Sequence, residues 1–177
     1  MSFRAPLLLA SLLASLALAG CATQTASTPE LLRYKLPGSN FPIANAVEVP
    51  AGASTVYLSG KTATLKDKSK SPTDIAAYGD TETQAVSVLQ TIDAQLKGMG
   101  LSMSDVVKMQ VYLVKDPAKN GKMDFAGFMK GYSQFFGTAA QPHLPARSTF
   151  EVAALANPAL LVEIEVVAVR GATSISR

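Results

Sequence analysis

Three residue types are nearly absent from this 177-residue chain, which has one histidine, one cysteine and no tryptophan. A single cysteine cannot form a disulfide within the chain. The single histidine, His143, is too little for a Ser-His-Asp or Cys-His catalytic group, and no carboxylates stand near it at the spacing of metal ligands. The composition therefore predicts no metal site. His143 stands between Pro142 and Pro145 and is expected in a loop.

An excess of charge of either sign is also lacking. Sixteen lysines and arginines stand against 13 aspartates and glutamates, for a net charge of +3. The basic residues are scattered, and their one cluster, KDKSK at residues 66–70, is typical of a solvated loop. Gly60 and Gly79 belong to no phosphate-binding pattern. Neither a nucleic acid nor a nucleotide is therefore predicted as a partner.

The chain does have a long apolar stretch at its start, MSFRAPLLLASLLASLALAGC. One early arginine precedes a run of Leu, Ala and Ser that is shorter than the roughly 20 residues of a membrane span. The pattern predicts an export signal over residues 1–20. A folded core helix is the alternative interpretation.

The tetrapeptide Leu18-Ala19-Gly20-Cys21 resembles a bacterial lipobox. The resemblance implies that Cys21 is acylated, becomes the first residue of the mature protein and anchors it on the periplasmic side of a membrane. Ala22 stands where an aspartate would imply retention in the inner membrane, so the outer membrane is the expected location. The alternative is an ordinary signal with a coincidental cysteine.

The rest of the chain divides by composition into three parts. Residues 21–30 are small and polar and predict a tether. Residues 31–171 are enough for one domain with its own core. Residues 172–177 predict a frayed, flexible tail.

Hydrophobic periodicity within the predicted domain indicates seven elements in the order β-β-α-β-α-β-β. The strands are expected at residues 44–49, 55–59, 106–114, 147–155 and 160–170, and the helices carry apolar stripes from Ala85 to Leu96 and from Phe125 to Phe136. Pro50-Ala51-Gly52 predicts a hairpin between the first two strands, and Ala156-Asn157-Pro158 predicts a turn between the last two. Residues 61–79 predict an irregular surface loop.

The economical packing of these elements is an α+β fold with both helices on one face of a mixed sheet, because each helix has a single apolar stripe. Val152, Ile164, Val166 and their alternate neighbours leave apolar side chains on both faces of the last strands. Two helices cannot cover both faces. The uncovered face therefore predicts a surface for self-association.

The candidate functional residues are the charged side chains of the last two predicted strands, Arg147, Glu151, Glu163 and Glu165. An arginine after a proline-rich loop can hold a carboxylate by two parallel hydrogen bonds. Glu163 and Glu165 are two residues apart and project from one face of their strand. Composition and spacing alone favour a structural ion pair between Arg147 and one of the glutamates. Whether Arg147 shares their face depends on the register of the hairpin.

The motifs around these residues also have a recognisable order. Pro145-Ala146-Arg147-Ser148 is followed by Glu151-Val152 and Val162-Glu163-Ile164-Glu165, and it is preceded by Leu58-Ser59-Gly60, Gly100-Leu101, Asp105-Val106-Val107-Lys108 and Tyr132 with Phe135-Phe136. This order resembles that of the RidA-type reactive intermediate deaminases, also called the YjgF family. The likeness covers residues 41–170.

The resemblance implies a fold similar to that of the small bacterial chorismate mutase, a homotrimer with ligand clefts between its subunits. It implies hydrolysis of 2-imino acids, such as 2-iminopropanoate and 2-iminobutanoate, to 2-oxo acids and ammonia without a metal or an organic cofactor. By position, Arg147 would bind the substrate carboxylate and Glu163 would hold or activate the attacking water. The main chains of Gly60 and Thr149 would line the pocket, and Glu165 would keep a structural role.

Three positions depart from the family pattern. Phe41-Pro42-Ile43 stands where a tyrosine commonly follows Gly-Pro, Met129 replaces a common asparagine, and Thr149 replaces a frequent cysteine. These changes make one side of the expected pocket less polar. A second hypothesis is therefore a trimeric envelope protein that binds a small carboxylate without turning it over.

Overall fold

The computed structural model describes residues 30–176. Its strands and helices follow in the order β1 Glu30–Lys35, β2 Ala44–Glu48, β3 Ser54–Thr62, α1 Thr81–Gly98, β4 Val106–Asp116, β5 Lys122–Met123, α2 Phe125–Tyr132, β6 Ala146–Val152, β7 Val162–Arg170 and β8 Thr173–Ser176. The seven predicted elements are present, and β1, β5 and β8 are additional. The predicted export signal, the lipid attachment at Cys21 and the tether up to residue 29 lie outside the described residues.

The strands form one mixed sheet in the order β3-β7-β4-β6-β2-β1-β8, with the short β5 paired to β4. The central strand β4 runs parallel to β6 and antiparallel to β7. Side chains of α1 and α2 share one core cluster with alternate residues of β4 and β7, so both helices pack on the same face. The prediction of an α+β fold with two helices on one face of a mixed sheet is confirmed.

Both predicted hairpin pairings are wrong. β2 pairs with β1 and β6, whereas β3 pairs with β7. β6 and β7 do not pair with each other but lie on the two sides of β4. Turn residues mark where a chain reverses, not which strand it meets next. The 11-residue β4, buried at alternate positions, offers two long edges, and these take β6 and β7 instead.

The two terminal strands hold each other, because β1 and β8 pair in parallel from Glu30 opposite Thr173 to Arg33 opposite Ser176. The sequence predicts a frayed tail over residues 172–177, and the structure places residues 173–176 of this segment in β8. The sequence TSIS has too little apolar periodicity to indicate a strand. A strand at a sheet edge, however, can form with a backbone partner and one side-chain hydrogen bond that anchors it. That anchor is Arg33.

The Arg33 side chain is only 2% exposed, and every nitrogen of its guanidinium donates a hydrogen bond. Nε donates to Ser174 Oγ at 2.8 Å, Nη2 to the Ser104 carbonyl at 2.8 Å, and Nη1 to the carbonyls of Val106 and Leu144 at 2.9 and 2.6 Å. Burial lowers the pKa of Arg33 to about 10. One side chain thus joins β1 to β8, to the start of β4 and to the loop before β6.

The helix α1 begins at an aspartate cap, because the Asp80 side chain accepts from the Thr83 N–H at 2.9 Å. Its stripe of Ala85, Val88, Leu89, Ile92 and Leu96 is fully buried. Gln84, also fully buried, donates to the carbonyls of Gly79 and Ala159 and accepts from the Leu161 N–H. These bonds fix α1 against the segment that leads into β7.

Among the described residues, no helix is both long and apolar enough to span a membrane.

The opposite face of the sheet is only partly covered. Leu31, Val107 and Val169 form a small buried cluster at one end, beneath β1 and β2. Farther along, Tyr57 is 78% exposed and Phe150 is 48% exposed. We call this the outer face. Self-association through the outer face stays a prediction.

Candidate functional site

Arg147 lies near the start of β6 and points to the helix face of the sheet. Its partner in β4 is Met109, which is fully buried between the sheet and the helices. Four rings surround the guanidinium, whose carbon Cζ lies 4.3 Å from the ring centre of Tyr132, 5.1 Å from Phe128, 5.5 Å from Phe41 and 6.0 Å from Phe125. These distances are within the range of cation–π contacts, about 6 Å. We call these four rings the Arg147 cage.

The Arg147 guanidinium has unused hydrogen-bonding capacity. Its Nη2 donates to the Met129 sulfur at 3.2 Å, and its Nη1 is buried without a partner. No carboxylate of residues 30–176 forms an ion pair with it. Burial lowers the pKa of Arg147, and the Tyr132 hydroxyl opposes this shift. Because a buried donor without an acceptor costs about 1–3 kcal/mol, the guanidinium is arranged to receive an acceptor from outside the fold.

Glu163 of β7 lies beside Gly60 of β3, where a bulge between Leu58 and Lys61 interrupts the pairing of the two strands. A Cβ added at Gly60 would overlap Glu163 Oε1 and lie 3.0 Å from Glu163 Cδ. The missing side chain at Gly60 therefore makes the space in which this carboxylate sits. The structure brings these two predicted site residues together.

Glu163 and Arg147 lie on opposite faces of the sheet. The residues on either side of Glu163 are buried on the helix face, whereas Glu163 is half-buried on the outer face. Its partner in β4 is Tyr112, and the partner of Arg147 is Met109. These partners are three residues apart, roughly 10 Å along the strand. One copy of the chain therefore does not bring Arg147 and Glu163 to the same ligand.

The ion pair that spacing favoured is not formed, because each remaining glutamate has another partner. Glu151 Oε2 accepts from the Met123 N–H at 3.0 Å. Glu165 Oε2 accepts from the Tyr112 hydroxyl at 3.3 Å, and that hydroxyl accepts in turn from Gln110 Nε2 at 3.1 Å. Glu165 shares the outer face with Glu163, as predicted, and has a structural contact there.

Thr149 follows Arg147 by two residues and lies on the same face of β6, opposite Val111 of β4. β6 pairs with β2 only where Ala44 meets Ala146. Beyond that point its second edge faces no other strand within the described part of the chain. The edge leaves main-chain groups without a ladder partner, so the main-chain role of Thr149 stays a prediction that the topology allows.

The Arg147 cage was not predicted from the sequence. The aromatic stripe of α2 predicts core residues, and Phe128 and Tyr132 are indeed fully buried. Phe41 is 40% exposed and stacks on Phe125, with ring centres 6.4 Å apart. The available signal was the density of aromatic residues on one face of α2. The described residues contain no group of three or more His, Cys, Asp or Glu side chains that could hold a metal ion.

Comparison with known proteins relates this site to a family. A family model described as Endoribonuclease L-PSP matches residues 39–170. A RutC family protein from Haemophilus influenzae is 35% identical over 136 residues, which are 77% of this chain and 92% of that protein. The chain belongs to the RidA (YjgF) family. TdcF from Escherichia coli, whose name ascribes to it a reactive intermediate deaminase activity, is 31% identical over 138 residues, 78% of this chain and 94% of TdcF.

Solved structures of RidA-family proteins share the fold. The crystal structure of Escherichia coli TdcF with bound serine has a TM-score of 0.52 at 31% identity, covering 77% of this chain and 94% of TdcF. YyfB from Yersinia pestis, a member of the conserved Rid protein family, has a TM-score of 0.57 at 25% identity, covering 77% of this chain and 96% of YyfB. The predicted family and fold are confirmed.

Proposed function

We propose that this RidA-family protein hydrolyses reactive 2-imino acids to 2-oxo acids and ammonia without a metal or an organic cofactor. The observation that carries the proposal is the Arg147 guanidinium, which is buried among aromatic rings, lacks a carboxylate partner and keeps one nitrogen without an acceptor. An incoming carboxylate can accept two parallel bonds from such a group. The name of TdcF, a relative over most of its length, supports the same chemistry.

The proposed site lies between two copies of the chain, because Arg147 and Glu163 face opposite ways in one copy. One copy supplies Arg147, and its neighbour supplies Glu163 beside Gly60. The exposed Tyr57 and Phe150 on the outer face support association of copies. We propose a homotrimer, the assembly that the family resemblance implies, and closed rings of this kind place the same contact at every interface.

The roles of the two residues follow from their chemistry. Arg147 holds the substrate carboxylate and so fixes the position of the imine carbon. Glu163 accepts a proton from water as the water oxygen bonds to that carbon, and the imine nitrogen takes up a proton. Glu163 then gives its proton to the amine nitrogen of the carbinolamine, and ammonia leaves as the C–N bond breaks, the C=O bond forms and the hydroxyl proton passes to solvent. One water is consumed and one ammonia leaves, so no oxidant or reductant takes part.

The test uses the full chain with an amino-acid oxidase that makes imines from alanine and leucine. Semicarbazide traps an imine as an ultraviolet-absorbing semicarbazone, so faster hydrolysis lowers its yield. The wild-type protein should lower the yield, and Arg147→Met should not. Arg170→Met is the matched control, because Arg170 donates to the Met99 carbonyl, away from the cage. A semicarbazone yield unchanged by wild-type protein would contradict the proposal.

The second candidate function is binding of a small carboxylate without turnover. Ile43 and Met129, apolar where the family resemblance implies polar side chains, favour it. Thermal stabilisation by 2-oxo acids measures binding independently of catalysis. Stabilisation that Arg147→Met abolishes, together with an unchanged semicarbazone yield, would select this candidate.

We also propose that the protein is an exported lipoprotein on the periplasmic side of a membrane, held by an acyl group on Cys21. The support is the sequence of residues 1–21. Cys21→Ser should move the protein from the membrane fraction to the soluble fraction or leave it unprocessed. Membrane association unchanged by this substitution would contradict acylation at Cys21.

A further inference from the structure

An open groove lies beside the Arg147 cage. Phe41 belongs to both, since its ring lies 5.5 Å from the Arg147 Cζ and also lines the groove. Leu36, Ile43 and Leu144 line the groove with it, and Lys35 stands at its edge. The groove has a volume of about 560 Å³. Sites for small molecules span roughly 300–1,000 Å³, so a substrate side chain larger than a methyl group has room here.

The groove wall is fixed relative to Arg147 by two hydrogen bonds. The Ala44 N–H, directly after Ile43, donates to the Pro145 carbonyl at 3.0 Å, two residues before Arg147. The Tyr132 hydroxyl donates to the Pro42 carbonyl at 2.9 Å, and the Tyr132 ring is the cage ring nearest to the guanidinium. The segment 41–43 therefore lies at a set position relative to Arg147.

The groove has an apolar part, formed by Leu36, Phe41, Ile43 and Leu144, and a polar part, formed by Lys35, Ser39, Asn40 and the backbone at Gly38. Phe41 is partly exposed, and Ile43 and Leu36 are half-buried, so their side chains still have area to cover. Met129 presents its sulfur to Arg147 from the helix side. Ser39, a polar residue of the groove, is already bonded, because its Oγ accepts from the Phe41 N–H at 3.1 Å. The charged residue of the groove is Lys35, which is exposed at the rim.

We propose that this groove binds the substrate side chain, and that the protein acts on 2-imino acids with a large branched or aromatic side chain in preference to those with a methyl or ethyl group. The inference rests on the proposed binding of the substrate carboxylate by Arg147. It narrows the substrate class for the same site from 2-imino acids in general to those with a large side chain.

The preference should be measurable in kcat/KM. One methylene in an apolar pocket changes kcat/KM by roughly 10- to 200-fold. The groove is open to solvent, so we expect the low end of this range. The leucine-derived and phenylalanine-derived imines should exceed the alanine-derived imine in kcat/KM by about tenfold or more.

The experiment compares imines made by amino-acid oxidases from alanine, leucine, phenylalanine and glutamate, with the full chain and semicarbazide as the trap. Glutamate tests the competing class, because its side-chain carboxylate could pair with Lys35. A preference for the leucine and phenylalanine imines supports the inference. Equal rates, a preference for the alanine imine, or a preference for the glutamate imine that Lys35→Met removes would each overturn it.

Ile43→Ser tests the groove wall, with Ile75→Ser as the matched control. Both isoleucines are half-buried, but Ile75 lies in a short 3-10 turn in the loop before α1. Ile43→Ser should reduce the ratio of kcat/KM for the leucine imine to that for the alanine imine by about tenfold. Ile75→Ser should leave that ratio unchanged. Equal ratios in both variants and in the wild type would contradict a role for the groove.

A binding measurement keeps the inference testable if no imine is hydrolysed. Calorimetric titration with pyruvate, 4-methyl-2-oxopentanoate and phenylpyruvate compares the same three side chains on stable 2-oxo acids. The two larger ligands should bind about tenfold tighter than pyruvate. Tighter binding of pyruvate, or binding of none of the three, would overturn the groove assignment. Selective binding without hydrolysis would instead contradict only the proposed reaction.

Discussion

Arg147 and Glu163 lie on opposite faces of the same sheet, opposite residues of β4 that are three positions apart. The guanidinium is enclosed by the cage on the helix face, and the carboxylate stands beside Gly60 on the outer face. If both residues act on one small molecule, they must come from two copies of the chain. Activity then depends on association as well as on the fold of each copy.

Subunit complementation tests this arrangement. Arg147→Met and Glu163→Gln should each be inactive alone, because every interface then lacks one group. Mixed assemblies from co-expression should regain activity at interfaces where intact Arg147 of one variant meets intact Glu163 of the other. Random mixing should restore roughly a quarter of the sites. The semicarbazide assay measures the recovery, and mixed assemblies as inactive as the separate variants would contradict a shared site.

The two buried arginines should differ in their effect on stability. Arg33→Met leaves three carbonyls without their donor and should lower the free energy of unfolding by about 3 kcal/mol or more. Arg147→Met should change it by less than about 1 kcal/mol, because relief from burying the charge offsets the lost cation–π contacts. Urea unfolding measures both variants. A large loss for Arg147→Met would indicate that Arg147 is mainly structural.

Gly60→Ala tests the role of Glu163, because it should lower activity much more than it lowers the free energy of unfolding. The added Cβ would overlap the Glu163 carboxylate, which must then move. Because that carboxylate ends a flexible side chain, the free energy of unfolding should fall by less than about 1 kcal/mol. Activity should fall about tenfold or more, since proton transfer needs hydrogen-bond reach. Full activity in Gly60→Ala would argue against a role for Glu163 in this position.

His143 should contribute a pH dependence to stability. Burial, and then the charge of Arg33, lowers the pKa of His143 in the folded protein, below the value of about 6.5 expected when it is unfolded. Between these two values the unfolded state binds more protons, so the free energy of unfolding decreases as the pH falls below about 6.5. The pKa values of Asp67 and Asp80 are also lowered, so these groups titrate below this window.

The measurement is urea unfolding between pH 7.5 and 5 for the wild type and His143→Gln. The variant should lose less stability over this interval than the wild type. Identical losses would show that His143 does not titrate differently in the two states.

The sequence allowed the elements to be predicted well but not their pairing. Periodicity indicated β4 and α1 because each has one strongly apolar face. The formation of these two elements depends little on residues far away in sequence. The partners of β2 and β6 depend on contacts far away in sequence, which local turn residues do not encode. β8 was missed because an edge strand requires little burial of its own.

The sequence identified which residues belong to the candidate site but not how they are arranged. Arg147, Gly60 and Glu163 were identified through the family motifs, and the structure places Gly60 and Glu163 in contact. Spacing alone favoured an ion pair for Arg147, which the separation of β6 and β7 by β4 prevents. The Phe41 ring over the guanidinium depends on the path of the loop before β2, and no local pattern fixes that path.

The hydrogen bonds of Arg33 determine which truncations and which terminal fusions leave the fold intact. The family match ends at residues 39 and 170, but β1 and β8 lie outside it on both sides and Arg33 joins them to the loop that leads to Arg147. An expressed fragment trimmed to the family boundaries would lose the clamp that holds this loop. A domain fused directly after residue 177 would lie next to β8, the strand that Arg33 bonds through Ser174. Recombinant versions should therefore keep residues 30–177 and place a flexible spacer before any C-terminal tag.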